Sequence, residues 1–150
     1  MPYTRVCAQG LATAVTIASH DRDLGNDVMS LLKSRQFRAL YTSDVIGVEV
    51  GGAIKNVIAI AAGMCEGLGL GTNAMAALVT RGCAEMRRLS QTFGVRATPH
   101  SDFFLASLQP TRALRQGEGS TVFGLSGVGD TFGTCFGPLS RNRMVGLRLG

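Results

Sequence analysis

Val48-Glu49-Val50-Gly51-Gly52-Ala53-Ile54-Lys55-Asn56-Val57-Ile58-Ala59-Ile60-Ala61-Ala62-Gly63 is an apolar run with one ammonium at its middle. Removing an ammonium from water is costly, and one is kept there mainly where a proton must be moved or an anion held. Lys55 is therefore the first catalytic candidate; the alternative is a helix that turns this lysine to solvent. About 20 mostly apolar residues can cross a bilayer, but Glu49, Lys55 and Asn56 interrupt this run. Its small residues, among them Gly47, Gly51, Gly52, Ala59 and Ala62, suit a helix whose neighbours approach its backbone. Both features point to a central buried helix in a soluble core, with no membrane span.

Outward from that run, composition sets the class. The chain has 150 residues, 45% hydrophobic and 17% charged, the size of one globular domain or a piece of a larger protein. Its net charge of +5 comes almost entirely from arginine, whose planar fork matches phosphate, so an anionic partner is favoured. Aromatics at 6% and the lack of tryptophan leave few stacking platforms, which argues against nucleic acid. Cys7, Cys65, Cys83 and Cys135 form no C-x-x-C pair, so no metal site is written here and reduced thiols in a reducing compartment are expected. Arg5, the apolar stretch Leu11 to Ala18 and Ser19 sketch a leader peptide, yet Thr13, Val15, Thr16 and Ile17 are β-branched and read as a strand.

That strand opens a β-α-β pattern. Asp21 to Ser34 follows with helical spacing, Leu24, Val28, Leu31 and Leu32 sharing a face, and Phe37 to Tyr41 reads as a second strand. Parallel strands need such a crossover, so residues 1–44 resemble the last unit of an α/β sheet. From Val45 the pattern is helical. The Lys55 helix is expected to end near Gly67, and Thr72 or Asn73 to cap a second helix reaching Phe93 or Gly94. Gly67-Leu68-Gly69-Leu70-Gly71 follows a helix and lacks G-x-G-x-x-G spacing, so a helix C-cap is preferred over a phosphate loop. Pro99, Pro110, Gly117 and Gly119 break any period across 98–120, a loop or insertion.

Two polar clusters lie beyond it. Asp130 follows Gly127 and Gly129, where backbone can approach a ligand or helix closely. A carboxylate brought near Lys55 would hold the ammonium in place for proton transfer; the alternative is a helix N-cap, and the two can coexist. Thr134, four residues on, would share its helical face. Ser140-Arg141-Asn142-Arg143 offers a hydroxyl, two guanidinium groups and an amide at a helix start, the makings of a phosphate site, or else a solvated basic turn.

These motifs in order, together with Gly137-Pro138-Leu139 before Ser140, resemble the substrate domain of the NAD(P)-dependent glycerol-3-phosphate dehydrogenases of bacterial and plastid type. The resemblance implies the end of a Rossmann-type domain (βαβ, 1–44) followed by a mostly α-helical substrate domain (45–150), like the C-terminal domain of 6-phosphogluconate dehydrogenase. It implies that Lys55 is the general acid/base at the carbon-2 oxygen and Asp130 its partner. Asn56, Thr134, Ser140, Arg141 and Asn142 would bind glycerol 3-phosphate or dihydroxyacetone phosphate, with Arg141 also near the cofactor, NAD or NADP. It further implies a homodimer when full-length, in the cytoplasm, or in a plastid if a transit segment precedes. The glycine-rich turn that opens such Rossmann domains is missing, and Gly150 falls inside the expected helical domain. The chain is accordingly expected to be a fragment, inactive on its own. A related β-hydroxyacid-type dehydrogenase and a non-catalytic helical or dimerisation module are the competing readings.

Overall fold

The computed structural model describes residues 10–93 and 124–150; the expected insertion at 98–120 and Cys7 lie outside them. Strand β1 (Thr13–Ala18), helix α1 (Arg22–Leu32) and strand β2 (Phe37–Thr42) form the expected crossover, with β1 and β2 parallel from Thr13 opposite Phe37 to Ala18 opposite Thr42. Asp21 caps α1, its carboxylate accepting from the amides of Asp23 at 2.9 Å and Leu24 at 3.1 Å. The Tyr41 ring lies flat against Gly25 of α1, where a side chain would collide with it, and its hydroxyl donates to the Ser19 carbonyl at 2.8 Å. The apolar residues of α1 do not turn inward as a set: Leu24 and Leu31 are 56% and 84% exposed.

Helix α2 (Val45–Gly67) is the hub, touched by every later element and by β1. By length and composition alone it could span a bilayer. Instead α3 (Gly71–Thr92), α4 (Asp130–Phe136) and α5 (Arg141–Leu149) pack against it. Ile58, Ala59, Ala62, Val79, Cys83, Met86 and Cys135 make the core, and Met86 is the largest side chain fully enclosed; burying one of that size contributes about 1.5–3 kcal/mol. The helix is central but not enclosed on all sides, since Val57 is 64% exposed.

The link between α2 and α3 is a helix C-cap, as its glycines suggested. The amides of Leu68, Gly69 and Leu70 return to the carbonyls of Met64, Glu66 and Cys65, and Gly69 and Gly71 adopt φ of 65° and 83°, open to glycine without strain. The expected cap for α3 is corrected: the helix starts at Gly71, so Thr72 and Asn73 already lie in its first turn, and Leu70 at the cap position makes no side-chain bond. The left-handed Gly71 turns the chain into α3.

Candidate active site

Three pieces of chain converge on one cleft of about 510 Å³, lined by Lys55 and Asn56 of α2, Thr134 of α4, and Leu139, Ser140, Arg141 and Asn142 at the start of α5. That volume lies within the range of small-molecule sites, roughly 300–1,000 Å³. Lys55 Nζ is ion-paired with Asp130 Oδ2, the two side chains 21% and 23% exposed, so the pair is sheltered but reachable from solvent.

Asp130 reaches Lys55 because of what precedes it. Residues Leu125–Gly129 form one π-helical turn that runs straight into α4, a distortion frequent at functional sites. Asp130 is thus an internal helical residue with αR geometry, and its expected role as an N-cap is corrected: the π-turn already supplies the preceding turn of helix. Gly51, one turn before Lys55, admits this backbone; a β-carbon there would stand 3.1 Å from the Ser126 carbonyl oxygen. Thr134 does share Asp130's face, and its hydroxyl donates to the Asp130 carbonyl at 2.7 Å.

On the opposite wall, Ser140 caps α5, its Oγ accepting from the Arg143 amide at 3.3 Å, and is 1% exposed. The nine-residue helix α5 begins at Arg141 and Asn142, which line the cleft, and a helix N-terminus is the pole that attracts anions. The two arginines of the cluster part company. Arg141 is exposed and makes no ion pair among the described residues, whereas Arg143 Nη2 turns away to Glu66 Oε1 at 2.6 Å. The expectation that both guanidinium groups gather in one site is therefore corrected: of the two, Arg141 alone lines the cleft.

Asn142 Nδ2 donates to Asn56 Oδ1 at 2.7 Å, and Asn56 Nδ2 donates to the Gly52 carbonyl at 3.0 Å. Only an amide NH2 can donate to a carbonyl, so this relay fixes the orientation of both side chains. Sequence reasoning missed Leu139 and Glu66. Glu66 did leave a signal: it follows Lys55 by eleven residues, about three helical turns, and so returns to the same face of α2.

Buried thiols sit behind the cleft. Burial raises the Cys83 thiol, and burial with the neighbouring Cys83 pushes Cys135 up to about 11. Cys65, Cys83 and Cys135 are all free and buried, and the raised Cys83 and Cys135 thiols stay protonated and unreactive near neutrality.

Residues 44–150 match the family model for the C-terminus of NAD-dependent glycerol-3-phosphate dehydrogenase. The chain is 49% identical over 140 residues to a glycerol-3-phosphate dehydrogenase [NAD(P)+] of Nitratidesulfovibrio vulgaris, covering 93% of this chain and 36% of that protein. It is 46% identical to a chloroplastic glycerol-3-phosphate dehydrogenase [NAD(+)] of Arabidopsis thaliana, covering 93% of this chain and 28% of that one. Among solved structures, glycerol-3-phosphate dehydrogenase from Coxiella burnetii superposes with a TM-score of 0.78 at 40% identity, covering 96% of this chain and 38% of the other. The chain belongs to the NAD-dependent glycerol-3-phosphate dehydrogenase family, and it spans 36% of the length of the first of these relatives.

Proposed function

We propose that this chain carries the substrate side of an enzyme that interconverts sn-glycerol 3-phosphate and dihydroxyacetone phosphate with NAD(P), in glycerol-3-phosphate and glycerophospholipid metabolism. The observation that carries the reading is one cleft with a lysine–carboxylate pair on one wall and, at a helix N-terminus on the other, an arginine with no ion-pair partner among the described residues. Residues 1–44 act in this proposal as the closing βαβ unit of a cofactor domain and 45–150 as the substrate domain.

NAD(P) supplies the hydride, or takes it, when bound. Lys55 gives a proton to the carbon-2 oxygen as the ketone is reduced and recovers it as the alcohol is oxidised, while Asp130 holds the ammonium in place. Arg141 and the first amides of α5 bind the phosphate; Asn56, Thr134, Ser140 and Asn142 complete the wall. Arg141, which lines the cleft, would also stand near an anionic cofactor group. The Gly67–Gly71 loop does not, because its amides at Leu68, Gly69 and Leu70 are already bonded to α2 carbonyls. A homodimer and a cytoplasmic setting belong to the same proposal; the free buried thiols support a reducing compartment.

Calorimetric titration with glycerol 3-phosphate, glycerol and inorganic phosphate tests it, with NAD(P)H oxidation by dihydroxyacetone phosphate followed alongside. Glycerol 3-phosphate is expected to bind best and glycerol worst. Equal affinity for glycerol and its phosphate would refute the proposal.

A further inference from the structure

The helices that meet at the cleft touch backbone to backbone. Gly63 and Gly67 of α2, Gly146 of α5 and Gly150, which caps the end of α5, face the opposite main chain so closely that a β-carbon at any of them would strike it; at Gly67 the Leu147 carbonyl oxygen lies 2.7 Å from that position. Helices ordinarily fix their mutual rotation by ridges of side chains set into grooves. These glycines allow little rotation, because a neighbouring residue turned into the seam would bring its β-carbon against main chain; with few side-chain ridges set into grooves, the seam resists a small slide along the axis less.

The site is sensitive to such a slide. A displacement of α5 by about 1 Å, less than the rise of one residue, would draw Arg141 along the cleft and stretch the 2.7 Å bond from Asn142 to Asn56 beyond hydrogen-bonding distance. Glu66 and Arg143 bridge the same two helices at the far side of the seam, roughly 16 Å along α2 from Lys55. Their side chains are 35% and 17% exposed, and Glu66 Oε2 is buried with no partner among the described residues. A half-buried pair left partly unsatisfied is a poor source of stability, and the best-attested use of such pairs is to set register.

We propose that Glu66 and Arg143 are positioning residues whose ion pair pins the register of α5 on α2, so that Arg141 stands over the cleft and Asn142 meets Asn56. The inference rests on the reading of Arg141 as the phosphate-binding group. Neither residue of the pair touches substrate in this account.

The test compares glycerol 3-phosphate affinity, by calorimetry, and thermal unfolding in the wild type, Glu66→Met, Arg143→Met and the double variant. Each variant is expected to bind about tenfold or more weakly, since a displacement near 1 Å can cost up to about 10²-fold, and the double variant no worse than the singles because they act as one unit. Removing both charges spares the fold an orphaned ion, so the double variant decides the matter where a single fails to fold. Wild-type affinity in a folded double variant overturns the proposal. Tighter binding by Glu66→Met also overturns it, because freeing Arg143 would then have made a second phosphate ligand. A wild type that binds no glycerol 3-phosphate fails at the earlier step and overturns the phosphate reading itself.

Discussion

Gly146→Ala is expected to unfold the seam on which the cleft depends. In the middle of α5 an added methyl would run into the Ile60 carbonyl, with the Ile60 carbonyl carbon 2.8 Å and the Met64 nitrogen 2.9 Å from it. All three are main-chain atoms of α2, which cannot swing aside as a side chain tip could. Overpacking costs typically about 1–3 kcal/mol, and rigid neighbours place this case near 3. Alanine returns about 1 kcal/mol through its better helix propensity. The net loss of about 2 kcal/mol corresponds to roughly 6 °C in Tm, from an unfolding entropy near 0.3 kcal/mol per degree for 150 residues. Gly133→Ala is the matched control: it sits exposed within α4 with nothing within 4 Å of the new methyl, so only the propensity gain of about 1 kcal/mol remains. Urea denaturation followed by circular dichroism should give opposite signs for one chemical change. A Gly146→Ala protein as stable as Gly133→Ala would refute the backbone contact between α2 and α5.

Lys55→Ala in the assembled enzyme should lower kcat by about 10²–10⁴-fold, the usual share of a general acid/base, while the circular dichroism spectrum stays that of the wild type; near-normal kcat would make the lysine structural. Arg141→Lys keeps the charge and loses the bidentate fork, so glycerol 3-phosphate binding should weaken by about 1.5–3 kcal/mol, the value of a hydrogen bond to a charged group. Glycerol binding should barely move, and equal losses for both ligands would remove the phosphate from Arg141. The Cys135 thiol ordinarily ionises at 9.0 and in the fold is held to about 11. The unfolded chain releases this proton first, so folding stability should decline as pH rises across that interval, and the excess decline over that of Cys135→Ala, read from urea midpoints at pH 8 to 11, isolates the thiol.

Period and punctuation made much of the architecture legible from sequence. The β-branched residues between Leu11 and Ser19 and the short run Phe37–Tyr41 read as strands joined by a helical crossover, which requires a parallel pair, and the structure has that pair at Thr13–Ala18 and Phe37–Thr42. One ammonium in a run of small apolar residues located the central helix and the face of it that lines the cleft. The order of motifs named the family. Those features are local: each is a property of residues near in sequence, and propensity and solvation act at that range.

What depended on distance along the chain was decided by packing. Lys55 and Asp130 are 75 residues apart, and their meeting rests on a π-helical turn that no periodicity announces and on Gly51 making room for it. Arg141 and Arg143 are chemically alike and two residues apart, yet Glu66 on another helix claims one and leaves the other over the cleft. The outward leucines of α1 show the same limit, because a hydrophobic face written in sequence is buried only where another element covers it. Sequence chose the groups that can do chemistry here; the close approach of α2, α4 and α5, set by glycines that let backbone meet backbone, decided which of them face one another.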